Sequence, residues 1–420
     1  MHELFTVLAP GEAFASFSRA FSPIARTEIV LLDAALGRVL DAAVVAGETL
    51  PGFARSTMDG YAVRAADTHG ASEQAPAYLR VVDDVPTGVV PRRAVGAREA
   101  IRTHTGAMLP ADADAVVMVE DTNLVPSGAG PGSDEIEVLA AAAAGENVLA
   151  VGEDVVRGAV AVPAGRRLRA ADVGGLAALG QTRVAVRERP RIAIVSTGDE
   201  VVDAGTRPAP AHVRDVNAAT VAAVVRDAGG IPVPCGIAPD EPRALESALR
   251  AALDGADALV LSAGSSVSAR DLTADVVGRL GAPGVLVHGL AIKPGKPTVL
   301  AVCDATPVVG LPGNPASALV VAWRIVRPMV RLLGGEDPAN VDGGGAERDA
   351  VLDVPVPSRP GREDFVPCAL ARDVDGVVHA RPLFGASNLI FTLVRADALI
   401  AVPLDRSGLA AGERVRVVVP

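Results

Sequence analysis

Apolar and polar positions change rhythm several times along the chain. Residues 27–46 (TEIVLLDAALGRVLDAAVVA) carry apolar side chains at helical spacing and predict a helix, which Leu50-Pro51-Gly52-Phe53 ends. From about 52 to 145, short Val-rich runs alternate with Gly, Pro and Asp turns: AYLRVVDDV, EAIRTHTGAML, DAVVMVEDTNLV and DEIEVLA. That texture predicts a small all-β insertion. A short helix is expected at AADVGGLAALG.

From 190 the pattern switches to α/β. RIAIVS, IPVPCGIAP, DALVLS and PVVGLP read as buried strands; VNAATVAAVVRDAGG, EPRALESALRAALDG and ASALVVAWRIV read as the helices between them. Gly229 closes the first of these helices, and Asp240 is the expected N-cap of the second. The alternation predicts a parallel, doubly wound sheet. Residues 336–349 have linker character, and the remaining stretch of short strands between Pro and Gly turns predicts a small β-barrel or sandwich.

Composition narrows the function classes. The chain has 420 residues, half of them hydrophobic and 21% charged, which excludes wholesale disorder and implies about three domains. A net charge of -11 argues against non-specific binding to nucleic acid or an anionic membrane. No apolar run reaches the roughly 18 residues that a membrane span needs. The beginning, MHELFTVLAPGEAF, lacks a basic n-region, so no signal peptide is expected. Cys235, Cys303 and Cys368 form no CxxC pair, which fits a reducing cytoplasm without zinc or a disulfide framework.

Of 39 basic residues only two are lysines, and both lie in Ile292-Lys293-Pro294-Gly295-Lys296-Pro297. Two compact ammonium groups on a Pro-Gly turn are suited to gripping an anion. Three further loops follow expected strands, where α/β sheets bind ligands. Ser196-Thr197-Gly198-Asp199-Glu200 offers a hydroxyl, a flexible glycine and two acids, a set able to hold phosphate and Mg²⁺ or merely to form a polar turn. Ser262-Ala263-Gly264-Ser265-Ser266-Val267-Ser268, followed by Asp271, offers backbone N–H groups and hydroxyls to an anion. Leu311-Pro312-Gly313-Asn314-Pro315-Ala316-Ser317 runs into a helix; Asn314 is a possible cap and Ser317 a hydroxyl donor. Together they imply an anionic, phosphorylated ligand neutralised by Mg²⁺. The β insertion adds Ser56-Thr57-Met58-Asp59-Gly60-Tyr61-Ala62, the strand end Arg102 to Ala107, and the acid turn Gly152-Glu153-Asp154. Tyr61 is one of two tyrosines, and the histidines show no ligand spacing.

These stretches carry a resemblance. LPGFARSTMDGYA (50–62), IRTHTGAMLPADADAVVMVE (101–120), Gly152-Glu153-Asp154, VSTGDE (195–200), Asp215 to Asn217, IKPGKP (292–297) and GLPGNPASA (310–318) occur in one order over nearly the whole chain. In that order they resemble the molybdopterin molybdenumtransferase family and the E domain of gephyrin. The family usually shows Gly-Gly-Val-Ser-Val-Gly-Asp-Tyr-Asp where this chain reads Ala263 to Asp271 (AGSSVSARD); one acid and an aromatic are lost, Arg270 is gained and Asp271 is kept.

The resemblance implies an elongated cytoplasmic homodimer of four-part chains. A molybdopterin-adenylyltransferase-like α/β domain is expected from 1–26 and 181–335, a linking and dimerisation domain from 27–50 and 146–180, an inserted β-rich domain from 51–145, and a C-terminal β-barrel-like domain from 336–420. It implies insertion of molybdate into adenylylated molybdopterin, with Mg²⁺-dependent hydrolysis of the adenylyl group to give molybdenum cofactor and AMP. A molybdopterin adenylyltransferase and acceptor molybdoenzymes are the implied partners. By position, Asp59, Thr105, Asp154, Glu200, Asp240 and Asp271 match catalytic residues. Glu200, Asp240 and Asp271 fall to the nucleotide and Mg²⁺ side; Asp59, Thr105 and Asp154 are expected to reach across from the dimer partner. Lys293, Lys296, Pro297, Ser317, Arg362 and Ser387 would hold molybdate, and Thr197, Gly198, Gly264, Ser265, Ser266, Gly313 and Asn314 the phosphate and pterin. The alternatives are a tungstate-inserting relative or a non-catalytic pterin- or nucleotide-binding scaffold.

Overall fold

The computed structural model describes residues 7–126, 134–262, 267–341 and 345–419, with the side chains of 267–271 left out. The chain divides into two compact units, Ala43–Pro163 with Gly175–Gln181, and Met1–Ala42, Ala164–Gly174 and Thr182–Pro420. The expected linking segments, 27–50 and 146–180, are therefore shared between the two.

The first unit is built on a six-stranded sheet. Its strands run in the order Ala115–Met118, Gly60–Val63, Glu99–Thr103, Ala77–Val85, Glu135–Val138 and Thr122–Val125. Each Val-rich run anticipated there contains a strand; EAIRTHTGAML is extended only over Glu99–Thr103, and DAVVMVEDTNLV holds two strands separated by the 3₁₀ turn Val119–Asp121. Alternate residues such as Val63, Leu79, Val117 and Ile136 point to one core, which also takes Tyr61; this tyrosine is core rather than site. At Gly60 a Cβ would overlap the carbonyl oxygen of Val117, so only glycine allows these strands to pair.

The second unit contains the α/β sheet, ordered Ile231–Ala238, Arg191–Thr197, Ala258–Ser262, Thr306–Leu311, Val299–Cys303 and Pro283–His288. Side chains of one strand alternate between two cores. Ile192 and Ile194 pack with Val221, Val225, Ile325 and Phe17, whereas Ala193 and Val195 pack with Leu245, Leu249 and Val276. Helices thus cover both faces, as double winding requires. The expectation of a parallel sheet is corrected at one strand: the first four strands are parallel, but Val299–Cys303 runs antiparallel to both of its neighbours, Thr306–Leu311 and Pro283–His288. The cause is a tight hairpin in which Asp304 and Ala305 both adopt positive φ, 49° and 70°.

The helix expected over 27–46 is absent. Thr27–Leu31 is a strand paired antiparallel with Arg183–Arg187, and Leu32–Ala34 is a single 3₁₀ turn. Ile29 is 70% exposed, so its helical spacing reflects no buried helix face; long-range pairing overrides the local period.

The C-terminal strands form a ring. Glu363–Arg372 pairs with Val378–Pro382, which pairs with Ala346–Leu352, then Arg414–Val419, then Ala398–Val402, which returns to Glu363–Arg372. Closure of these five strands removes exposed sheet edges. One short strand of the α/β region, Ile292–Lys293, adds in parallel to the barrel strand at Glu363 and Asp364. Among the described residues no helix is long and apolar enough to cross a membrane.

Candidate active site

The lysine-bearing hexapeptide is held rigidly. Ile292 is buried, and the Thr298 hydroxyl donates to the Gly295 carbonyl at 2.7 Å. The Lys296 carbonyl accepts from the backbone N–H of Leu290 and of Thr298, each at 2.9 Å. Gly295 has φ +120°, and a Cβ there would overlap Val321. Backbone strain of this kind is tolerated only by glycine. The clamp leaves Lys293 and Lys296 exposed.

Both lysines line a cavity of about 860 Å³. Its other walls are the loop Pro312 to Asn314 after the strand Thr306–Leu311, the buried Ser317, the barrel residues Arg362 and Asp364, and the segment Phe384 to Ser387. The structure thus brings Lys293, Lys296, Pro297, Gly313, Asn314, Ser317, Arg362 and Ser387 around one space. Arg362 donates from Nε to Asp364 Oδ1 at 2.8 Å and from Nη2 to Oδ2 at 3.3 Å. Lys293 Nζ lies 3.9 Å from Asp364 Oδ2. Asn314 occupies the N-cap position of Pro315–Val321 but makes no side-chain cap bond. Its Nδ2 instead donates to Ser387 Oγ at 2.8 Å.

A second group of residues sits at the carboxyl ends of the parallel strands. Thr197, buried, ends one strand, and Ala238 ends its neighbour, directly opposite in register. Asp240 follows, its backbone N–H donating to Asp199 Oδ1 at 3.3 Å. Burial pushes the Asp240 carboxyl up, and the nearby Asp199 and Glu200 carboxylates push it further, opposed by a hydrogen bond from Thr197. Asp240 does not cap the next helix. Glu241 does, accepting from the N–H groups of Arg243 and Ala244 at 3.1 and 2.7 Å. The Glu200 carboxylate folds over Gly198, where a Cβ would collide with it. Among the described residues, no three His, Cys, Asp or Glu side chains converge to hold a metal ion. Gly264, Ser265, Ser266 and the side chain of Asp271 lie outside the described residues.

In the other unit Asp59 and Thr105 meet. The Thr105 N–H and hydroxyl both donate to Asp59 Oδ1, at 2.7 and 3.1 Å. These bonds hold the Asp59 carboxyl below its ordinary range. Asp154 is exposed, with its backbone N–H donating to the Leu50 carbonyl at 3.1 Å.

The sequence reading gave no site role to two residues that sit here. Asp364 lies two residues after Arg362, and a period-two reading would have placed the two side chains on the same side of the chain. Asn217 is buried beside the 313 loop; its Nδ2 donates to the Gly313 carbonyl at 2.9 Å and its Oδ1 has no partner. No local sequence signal marks that contact.

Comparison with known proteins identifies the family of the chain. Residues 8–180 match the MoeA N-terminal region (domain I and II), 193–332 a probable molybdopterin binding domain, and 349–419 the MoeA C-terminal region (domain IV). A molybdopterin molybdenumtransferase 2 of Mycobacterium tuberculosis is 36% identical over 409 residues, covering 96% of each chain. A molybdopterin molybdenumtransferase of Nostoc sp. is 34% identical over 93% of this chain and 88% of its own. The crystal structure of a molybdopterin biosynthesis moea protein from Pyrococcus horikosii superposes with a TM-score of 0.73, at 34% identity and 99% coverage of both chains. With matches that run from end to end and a fold shared throughout, the chain belongs to the molybdopterin molybdenumtransferase (MoeA) family of enzymes.

Proposed function

We propose that the chain inserts molybdate into adenylylated molybdopterin, hydrolysing the adenylyl group to give molybdenum cofactor and AMP. The observation that carries this reading is the cavity with Lys293, Lys296 and Arg362 in its walls. With Asp364 as the only lining carboxylate among the described residues, these three cations leave two positive charges in excess, the complement of a tetrahedral dianion. Ser317 and Ser387 add hydroxyl donors at the same wall. The volume far exceeds that of one oxyanion and leaves room for an organic portion beside it.

The nucleotide side of the reaction is assigned to the strand-end group. Thr197 and Gly198 are assigned to the phosphates, and Gly264, Ser265 and Ser266 are assigned to them by the resemblance alone. Glu200 and Asp240, joined by Asp271, are the residues that would hold Mg²⁺. Carboxylate oxygens are the hard ligands that Mg²⁺ takes, and the Asp240 carboxyl, raised first by burial, is raised further by Asp199 and Glu200. Mg²⁺ would neutralise phosphate charge as the phosphoanhydride is hydrolysed. Asp59, Thr105 and Asp154 are assigned to the same reaction from the second protomer of a homodimer. A molybdopterin adenylyltransferase would supply the substrate, and acceptor molybdoenzymes would take the product.

The test is AMP release by the purified protein from adenylylated molybdopterin, with molybdate and Mg²⁺ added separately and together. Release that needs both supports the proposal. No release by folded protein that still binds the pterin would favour the scaffold alternative, and release with tungstate alone would favour the tungstate-inserting one.

A further inference from the structure

We infer that Asp364 is a positioning residue for oxyanion capture: it aims the Arg362 guanidinium and sets where the Lys293 ammonium rests, without itself touching the ligand. The inference rests on the reading of the cavity as the molybdate site.

Asp364 is 2% exposed, which is unusual for a carboxylate beside a water-accessible cavity. Its backbone is fixed from both sides, paired in parallel with Lys293 and antiparallel with Val402. A residue locked between two ladders presents its carboxylate in one direction. That carboxylate takes Arg362 in a two-point bond through Nε and Nη2. Of the five N–H donors of a guanidinium, two are so engaged and three are left for another acceptor. Lys293 behaves differently. At 3.9 Å its ammonium is attracted but makes no hydrogen bond, and its side chain is 60% exposed, so its donors also stay available. A flexible arginine at this point would have many rotamers to surrender on binding an anion. Asp364 removes that freedom in advance, at the cost of one negative charge near the site. A carboxylate that merely tied the barrel to the α/β region would not need to face the cavity between two of its cations.

The experiment is calorimetric titration of the full-length protein with sodium molybdate alone, with activity assays alongside. Asp364→Ala should weaken molybdate binding about tenfold and raise the KM for molybdate similarly, leaving kcat at saturating molybdate and the KM for the pterin substrate within about twofold. Asp364→Asn keeps a carbonyl oxygen to accept from Arg362 Nε, and should recover most of the lost affinity. Rescue of this kind does not follow if the residue serves only folding. Unchanged molybdate affinity in Asp364→Ala, or a fall in kcat with the molybdate KM unaltered, would overturn the inference. Lys293→Ala and Lys296→Ala separate the two levels. If they abolish molybdate binding while Asp364→Ala does not affect it, only the Asp364 role fails; if they too leave it intact, the reading of the cavity fails.

Discussion

Asn314 donates its side-chain amide to the hydroxyl oxygen of Ser387, 2.8 Å away and 73 residues on in sequence. The neighbouring Ala316 N–H donates to the Ser387 carbonyl at 3.0 Å, so two bonds fasten the loop after the sheet strand to the C-terminal segment. An amide bonded to a lone pair of Ser387 Oγ leaves the hydroxyl proton free to donate to an anion in the cavity. Ser387→Ala is therefore expected to cost about 1 kcal/mol of stability and to raise the KM for molybdate several-fold. Urea titration and steady-state kinetics with varied molybdate check both.

The Lys293–Lys296 turn depends on Gly295. Alanine there would need φ near +120° and would press its Cβ into Val321, which lies in the helix beneath. Gly295→Ala should lose about 1–3 kcal/mol of unfolding free energy and weaken molybdate binding, because the turn can relieve the overlap only by moving both lysines. A variant with native stability and native molybdate affinity would show that the turn is not under this constraint.

Thiol reactivity offers a check on the packing. Burial pushes the Cys303 thiol up to about 11 and the Cys368 thiol up to about 12. Cys235 is exposed. Iodoacetamide at pH 8 should modify Cys235 alone in the native protein and all three cysteines in denaturant, because the thiolate is the reactive form. Mass spectrometry of native and unfolded samples reads the difference.

His379 gives a pH dependence of known sign. Its Nδ1 lies 3.0 Å from Asp353 and its Nε2 3.2 Å from Asp373, and these partners raise its pKa above the ordinary value; Arg381 also bonds Asp353. A raised histidine stabilises the fold fully below its unfolded pKa of about 6.5, and that contribution disappears as pH rises through the folded pKa. Asp373 is lowered, chiefly by the Val377 N–H, and so contributes equally across this range. The stability gap between the protein and His379→Gln should be widest near pH 6 and should close at alkaline pH, measured by urea unfolding in a pH series. A gap that widens with pH would contradict it.

Much of this was written locally. The β insertion announced itself through short Val-rich runs between turns, and the α/β region through buried strands alternating with amphipathic helices. The site was legible because Lys293 and Lys296 are the chain's only lysines and share one turn. The failures have long-range causes. The 27–46 segment has helical spacing, yet pairing with Arg183–Arg187 makes a strand of its first part. The antiparallel strand Val299–Cys303 of the α/β sheet follows from a two-residue turn at Asp304 and Ala305, which lacks the glycine that normally marks one. Asp240 looked like a cap because an acid preceded a helix, but Glu241, one residue on, reaches the free N–H groups. Asp364 gains its meaning only from the barrel strand meeting the lysine strand, a pairing between residues some 70 positions apart.

The central claim is that Lys293 and Lys296 hold the oxyanion for transfer to an adenylylated pterin. The most direct test measures AMP released and molybdenum bound to pterin in the same reaction, for the unaltered protein and for Lys293→Ala and Lys296→Ala. The account predicts equal amounts of AMP and pterin-bound molybdenum from the unaltered protein, and losses of both by about a hundredfold or more in each lysine variant at low molybdate. Equal yields from folded lysine variants would contradict it.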